Sequence, residues 1–242
     1  SFRGLTYAMN GGLTLAASGF PFWGVDAGGY SGFADEETYL RWTEFATFSP
    51  IMRFHGVTPR EPWAYSRYAV SVYKFYAWLR ENLLKYSVHT AEEAHKTGIP
   101  MMRPLPMVFP EDKEAVYWED EYFYGSDLLV APVHQEGEKR RIYFPSGSWI
   151  NLLDFRKMVG GNRIFQVDVP IDKIPVYIRE GACILSVMNG ELQLGQSMTY
   201  EKKNTVLMSR ALNETSGKRY ADGKKIEYII IGRGVTAGFR LW

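Results

Sequence analysis

The sequence predicts a two-part chain, parallel α/β over residues 1–98 and antiparallel all-β from residue 99 onward. Three observations carry this. Residues 1–98 alternate helix, strand, helix, strand, helix, the order that parallel strands with crossover helices require. Both strands are short apolar runs ending in a polar residue and glycine, Asp26 before Gly28-Gly29 and His55 before Gly56. Past residue 100 the period changes to short apolar or alternating runs separated by turn residues. The first part has the layout of the last units of a (β/α) barrel or of an open sheet, with Asp26 and His55 facing one rim.

The elements follow in order. Phe2, Leu5, Met9 and Leu13 stand near helical spacing, so residues 1–17 read as a helix, weakened by Gly11-Gly12. Residues 20–26 form a strand. Asp35, Glu36 and Glu37 fall in the first turn of a second helix, where the dipole favours acids, and that helix ends before Pro50. Ile51–Gly56 is the second strand, and Pro59 and Pro62 make the next stretch a loop. One long helix is predicted from about 66 to 97, stopped by Gly98 and Pro100.

Beyond it, Met101–Phe109, Asp127–Val133, Arg141–Phe144, Trp149–Leu153, Phe165–Val169, Pro175–Ile178 and Ala182–Leu185 read as strands of an antiparallel sandwich. Residues 190–242 are more polar. There Val206–Met208, Ile226–Ile231 and Phe239–Trp242 read as strands of a small, incomplete β unit.

Composition excludes several classes. A net charge of +1 gives no electrostatic pull toward nucleic acid or anionic lipid, and no apolar run reaches membrane length, so neither partner is expected. The single cysteine, Cys183, excludes an intrachain disulfide and fits a reducing compartment. With no signal-peptide pattern, the expected location is cytoplasmic. The four histidines are scattered, and no phosphate-binding glycine loop or nucleophile elbow occurs, so no cofactor and no metal are expected. The first residue, Ser1, points to a piece cut from a longer protein.

What remains is a constellation of Asp26, Arg53 and His55 with the aromatics Trp23, Tyr30 and Trp63. Carboxylate and imidazole can hydrogen-bond vicinal hydroxyls, while aromatic faces pack on the apolar side of a sugar ring. Each has a structural reading beside the functional one. Asp26 could cap its own turn, Arg53 and His55 could close salt bridges at the rim, and Trp63 could anchor its proline-flanked loop. Glu61 beside Arg60 reads as a loop ion pair.

These residues resemble a known family. Asp26-Ala27-Gly28-Gly29-Tyr30, Tyr39-Leu40-Arg41-Trp42 and Arg53-Phe54-His55-Gly56, followed by the Arg60-Glu61-Pro62-Trp63 loop, are similar to the closing barrel portion of glycoside hydrolase family 31. Downstream, Gly98–Pro104, Asp127–Val133 and Ile174–Gly181 resemble that family's proximal β-sandwich. The resemblance implies the last two β/α units of a TIM-type barrel over 1–98, a proximal β-sandwich over 99–189, and a partial or degenerate distal β domain over 190–242. It also implies a retaining α-glycosidase of α-glucosidase or α-xylosidase type, whose two carboxylates stand about 5–5.5 Å apart.

The family's nucleophile lies in a Trp-x-Asp-Met-Asn-type motif and its acid/base in Trp-x-Gly-Asp, and neither motif occurs in this sequence. By order, Ser1 falls just past the acid/base. Asp26 and His55 match family residues that hold hydroxyls of the −1 sugar, and Tyr30 replaces the usual Phe at the site wall. The expected partners are an α-linked glycoside or oligosaccharide and the missing N-terminal barrel portion, in cis or as a separate chain. The alternative is a non-catalytic carbohydrate-binding or partner-dependent subunit.

Overall fold

A computed structural model of the chain describes residues 1–154, 158–188 and 193–197, and the backbone of strands at 203–208, 215–221, 224–230 and 237–241. The first helix, α1, spans Phe2–Ala17 and starts where the Ser1 hydroxyl accepts the Gly4 N–H at 3.2 Å. The glycine pair does not break it. Gly12 is a packing device instead, since a Cβ there would stand 2.0 Å from the Trp23 indole.

Strand β1 (Gly24–Asp26) pairs in parallel with β2 (Ile51–Arg53), in register Gly24 to Ile51 and Asp26 to Arg53. The crossover between them is α2 (Glu36–Thr47). Its N-cap is Asp35, which accepts the Thr38 N–H at 2.7 Å. Its buried carbonyl end is closed by Arg80, which donates to Thr47 O, Ser49 O and Pro50 O at 2.6–2.8 Å.

The single helix predicted over 66–97 is two, α3 (Arg67–Asn82) and α4 (Leu84–Thr97), joined at Leu83. Asn82 tethers the junction. It is buried at the junction and spends its side-chain amide on Val187 O and Gly195 N, both at 2.8 Å. The sequence periodicity carried no sign of that tether. Gly98 ends α4 in the left-handed conformation, as expected.

Strand β3 (Met102–Pro104) opens the β part, and the rest of the predicted strand 101–109 is the short helix α5 (Leu105–Val108). Pro104 and Pro106 remove ladder donors there. Next come β4 (Tyr122–Tyr124), β5 (Leu128–Val130), β6 (Lys139–Phe144), β7 (Ser148–Asn151) and β8 (Met158–Gly160). Then follow β9 (Arg163–Asp168), β10 (Val176–Arg179) and β11 (Cys183–Met188). Strands β3-β4-β5-β10-β7-β8 form one antiparallel sheet in that order, while β6 and β9 pair separately. Sequence reading missed β4 and β8. Strand β4, buried on both faces, shows no alternation to find.

The expected sandwich is realised in a modified form. One face of the six-stranded sheet, with Tyr122, Tyr124, Leu128, Val130, Val176 and Ile178, joins a core shared with α1 to α4. The other face, with Phe123, Leu129, Trp149 and Tyr177, packs on Ile142 and Phe144 of β6. Helices cover one side and a β pair the other. Each fully buried aromatic or aliphatic side chain in these layers contributes roughly 1.5–3 kcal/mol.

In the last part, β12 (Lys203–Met208) pairs with β11, and β13 (Thr215–Ala221), β14 (Lys224–Ile230) and β15 (Ala237–Leu241) form a three-stranded antiparallel sheet. The strands foreseen at 206–208, 226–231 and 239–242 fall on β12, β14 and β15, with Ile231 and Trp242 outside the described residues. Strand β13 was not foreseen.

Candidate functional site

Two loops leave the C-terminal ends of β1 and β2 side by side, residues 27–33 and 54–60. Backbone bonds zip them together: Ala27 N–H donates to Arg53 O and Val57 N–H to Tyr30 O, both at 2.9 Å. Gly28 turns the first loop at φ +86°, a conformation that L side chains rarely adopt, and a Cβ there would stand 2.9 Å from Arg60 Cδ. A Cβ on Gly56 would stand 2.8 Å from Tyr30 O. The Gly residues that follow each polar strand end therefore let the two loops touch.

Four of the residues singled out from sequence come together on this rim. Arg53 Nη2 lies 2.5 Å from Asp26 Oδ1, and the rings of Tyr30 and His55 stand 5.6 Å apart, tilted by 44°. Asp26 is partly buried, while Arg53, Tyr30 and His55 are exposed. The rim salt bridge that sequence left open for Arg53 is thus present. The two neighbouring pairs offer a carboxylate, a guanidinium, an imidazole and a phenol, a donor and acceptor set suited to vicinal hydroxyls.

Trp23 is not part of this patch. It precedes β1, at the opposite end from Asp26, and its indole packs on Gly12 of α1 and 6.5 Å from the Phe45 ring of α2. Its role in the structure is to seat β1 on the helices. Trp63 sits in a single 3₁₀ turn, Pro62–Ala64, and is 75% exposed, so it does not anchor its loop.

Sequence reasoning read Arg60 only as the partner of Glu61 in a loop ion pair and missed its place between the two loops. Its side chain is buried, yet all five guanidinium N–H groups are used. Nε and Nη2 both donate to Gly29 O, at 2.8 and 2.6 Å, and Nη2 also donates to Gly32 O at 2.7 Å. Nη1 donates to the Thr58 hydroxyl and to Pro59 O. Glu61 does not pair with this guanidinium; its carboxylate accepts the Arg60 backbone N–H at 3.1 Å. Beneath the loops, Tyr39 stacks on Tyr65 at 4.1 Å and lies 5.9 Å from Phe54. Burial pushes the Tyr39 phenol well above its usual range, so it remains a donor, and it donates to Arg60 O at 3.1 Å.

A second charged group lies where α1 meets the β part. Asp120 Oδ2 is 3.0 Å from His134 Nε2 and accepts from Arg140 Nη1 at 2.8 Å, and His134 Nδ1 lies 3.1 Å from the Thr6 hydroxyl. Burial pushes the Asp120 carboxyl up, but the hydrogen bonds and charges of His134 and Arg140 outweigh it and hold the carboxyl well below the usual range. Next to it, burial drives Glu121 the other way, well above the usual range, with the Tyr143 N–H its backbone donor. Among the described residues no group of three or more His, Cys, Asp or Glu could hold a metal ion, and no helix is long and apolar enough to cross a membrane.

Comparison with known proteins agrees with this architecture. The profile of the glycosyl hydrolases family 31 TIM-barrel domain matches residues 1–90, and that of the glycosyl hydrolase family 31 C-terminal domain matches residues 98–184. An isomaltosyltransferase of Sporosarcina globispora is 34% identical over 210 residues, 81% of this chain and 19% of its own. An alpha-xylosidase of Saccharolobus solfataricus is 35% identical over 181 residues, 72% of this chain and 25% of its own.

Among solved structures, the cycloalternan-forming enzyme from Listeria monocytogenes, in complex with pentasaccharide substrate, superposes with a TM-score of 0.88 at 28% identity. It is covered over 94% of this chain and 24% of its own. A Flavobacterium johnsoniae dextranase complexed with glucose gives 0.81 at 27% identity, over 95% of this chain and 30% of its own. The chain spans about a fifth to a quarter of the length of the curated relatives it matches. The chain belongs to glycoside hydrolase family 31.

Proposed function

We propose that this chain supplies the sugar-holding side of a retaining α-glycosidase site of α-glucosidase or α-xylosidase type, and that the nucleophile and acid/base carboxylates lie outside it. The observation that carries the proposal is the rim itself. Asp26, Arg53, His55 and Tyr30 converge at the C-terminal ends of two parallel strands, where barrel enzymes build their sites. Asp26 and His55 accept and donate to hydroxyls of the sugar at the −1 position, and the Tyr30 ring forms a wall.

Three features support the fragment reading. The two carboxylate motifs of the family are absent from the sequence. The relatives are four to five times longer than the part matched. Strands β1 and β2 form a two-stranded parallel sheet, and Ile51 within it is half exposed, although parallel sheets are ordinarily covered on both faces. In this reading, residues 1–98 are the last two β/α units of the barrel, 99–189 the proximal β domain and 190–242 a partial distal one.

Titration of the purified chain with D-glucose and D-xylose tests the proposal. Saturable binding on the order of millimolar affinity, abolished by Asp26→Ala and by His55→Ala, is the expected result. Binding that survives both substitutions would overturn it.

A further inference from the structure

Arg60 is a buried guanidinium whose hydrogen bonds go to backbone carbonyls and one hydroxyl. Those acceptors lie on both rim loops. Gly29 O and Gly32 O belong to the loop that carries Tyr30 and follows Asp26. The Thr58 hydroxyl and Pro59 O belong to the loop that carries His55. Thr58 completes the bridge, since its hydroxyl accepts from Arg60 and donates to Gly32 O at 2.7 Å. Gly28 and Gly56 leave the room the guanidinium stem needs, because a Cβ on either would stand within 2.9–3.1 Å of it.

From this geometry we infer that Arg60 is the positioning residue of the sugar site: its planar fork fixes the 27–33 loop against the 54–60 loop and so sets the Tyr30–His55 contact and the Asp26 to His55 spacing. The inference rests on the sugar-holding reading of Asp26 and His55. A lysine cannot replace it, since an ammonium has three donors on a flexible stem and cannot span two loops in one plane. The two glycines, the threonine and the arginine form one interlocking unit that touches no ligand itself.

The test uses the whole chain and two readouts at a temperature well below its unfolding midpoint. The first is the ring-current displacement of the His55 imidazole proton signals caused by Tyr30, read by NMR. The second is D-glucose and D-xylose affinity. In Arg60→Lys, the His55 signals move toward their free-histidine positions and both affinities fall at least tenfold, with helix and sheet content unchanged. A role confined to stability would lower the unfolding midpoint and leave the His55 signals in place, and that result overturns the inference. If Arg60→Lys does not fold, Thr58→Val decides. It removes one acceptor and one donor from the bridge, and an unchanged His55 spectrum in that variant also overturns the inference. If the wild type binds neither sugar, the sugar-holding reading fails, while the His55 spectra still report whether Arg60 sets the loop contact.

Discussion

Arg53 and Asp26 are register partners across the parallel β1–β2 pair, and their side chains meet at 2.5 Å on the rim. The Arg53 side chain is 55% exposed and that of Asp26 22%, so although Asp26 Oδ1 itself is buried, the pair is partly screened by solvent, where such bridges contribute about 0–1 kcal/mol. Asp26→Asn should therefore cost under about 1 kcal/mol of stability. Its effect on sugar binding should be far larger, about tenfold or more, because a hydrogen bond from a hydroxyl to a carboxylate is worth roughly 1.5–3 kcal/mol. Chemical denaturation and sugar titration of the same sample separate the two effects.

Arg41 should behave in the opposite way. It is fully buried on α2 and donates to Glu44, Gly137 O, Val169 O, Pro170 O and Lys173 O, so it stitches the helix layer to loops of the β part. Arg41→Met takes the donor away from Glu44, whose carboxyl burial already pushes well above its usual range, and from four backbone carbonyls, and should cost about 3–5 kcal/mol in urea denaturation. Adding Glu44→Leu should recover part of that loss. No recovery would mean that the carbonyl contacts, not the ion pair, dominate.

The neighbours Asp120 and Glu121 give stability two pH dependences of opposite sign. The folded carboxyl of Asp120 lies below its unfolded value of about 3.9, so its contribution is complete above that pH and is lost as pH falls toward the folded value. The folded carboxyl of Glu121 lies above its unfolded value of about 4.3, so its contribution is complete below that pH and is lost as pH rises through the folded value. Unfolding free energies from pH 2 to 8 should show that Asp120→Asn flattens the acid limb. Glu121→Gln, which keeps an acceptor for the Tyr143 N–H, should raise stability at neutral pH.

The two adjacent glycines of α1 give a controlled pair. A Cβ on Gly12 collides with Trp23, whereas one on Gly11 meets nothing within 4 Å. Gly11→Ala should stabilise the chain by about 0.5–1 kcal/mol through helix propensity. Gly12→Ala should destabilise it by about 1–3 kcal/mol through overpacking. Thermal unfolding of the two variants side by side checks both signs.

These glycines also show what the sequence could and could not reveal. Asp26 with Gly28-Gly29, and His55 with Gly56, were legible because strand ends and tight turns are encoded within a few residues. Trp23 was placed with them by proximity in sequence, but a side chain's direction depends on what it packs against, and Gly12 lies eleven residues earlier. Arg60 and Arg41 stand in motifs that resemble the family, but nothing in the sequence marks them as buried. Their partners are mostly backbone carbonyls, which carry no residue signature, and for Arg41 those partners lie 96 to 132 residues away. The tether at the Leu83 junction escaped for the same reason, since Asn82 answers to Val187 and Gly195.

In the proposed reading, the chain holds a sugar through Asp26, and the carboxylate pair that would cleave it lies outside the chain. Titration of 4-nitrophenyl α-D-glucoside into the purified chain, followed at once for heat and for released nitrophenolate, tests both halves. Saturable binding that disappears in Asp26→Ala, with no nitrophenolate above background, is the expected result. Nitrophenolate release that depends on Asp26 would contradict it, as would the absence of any binding.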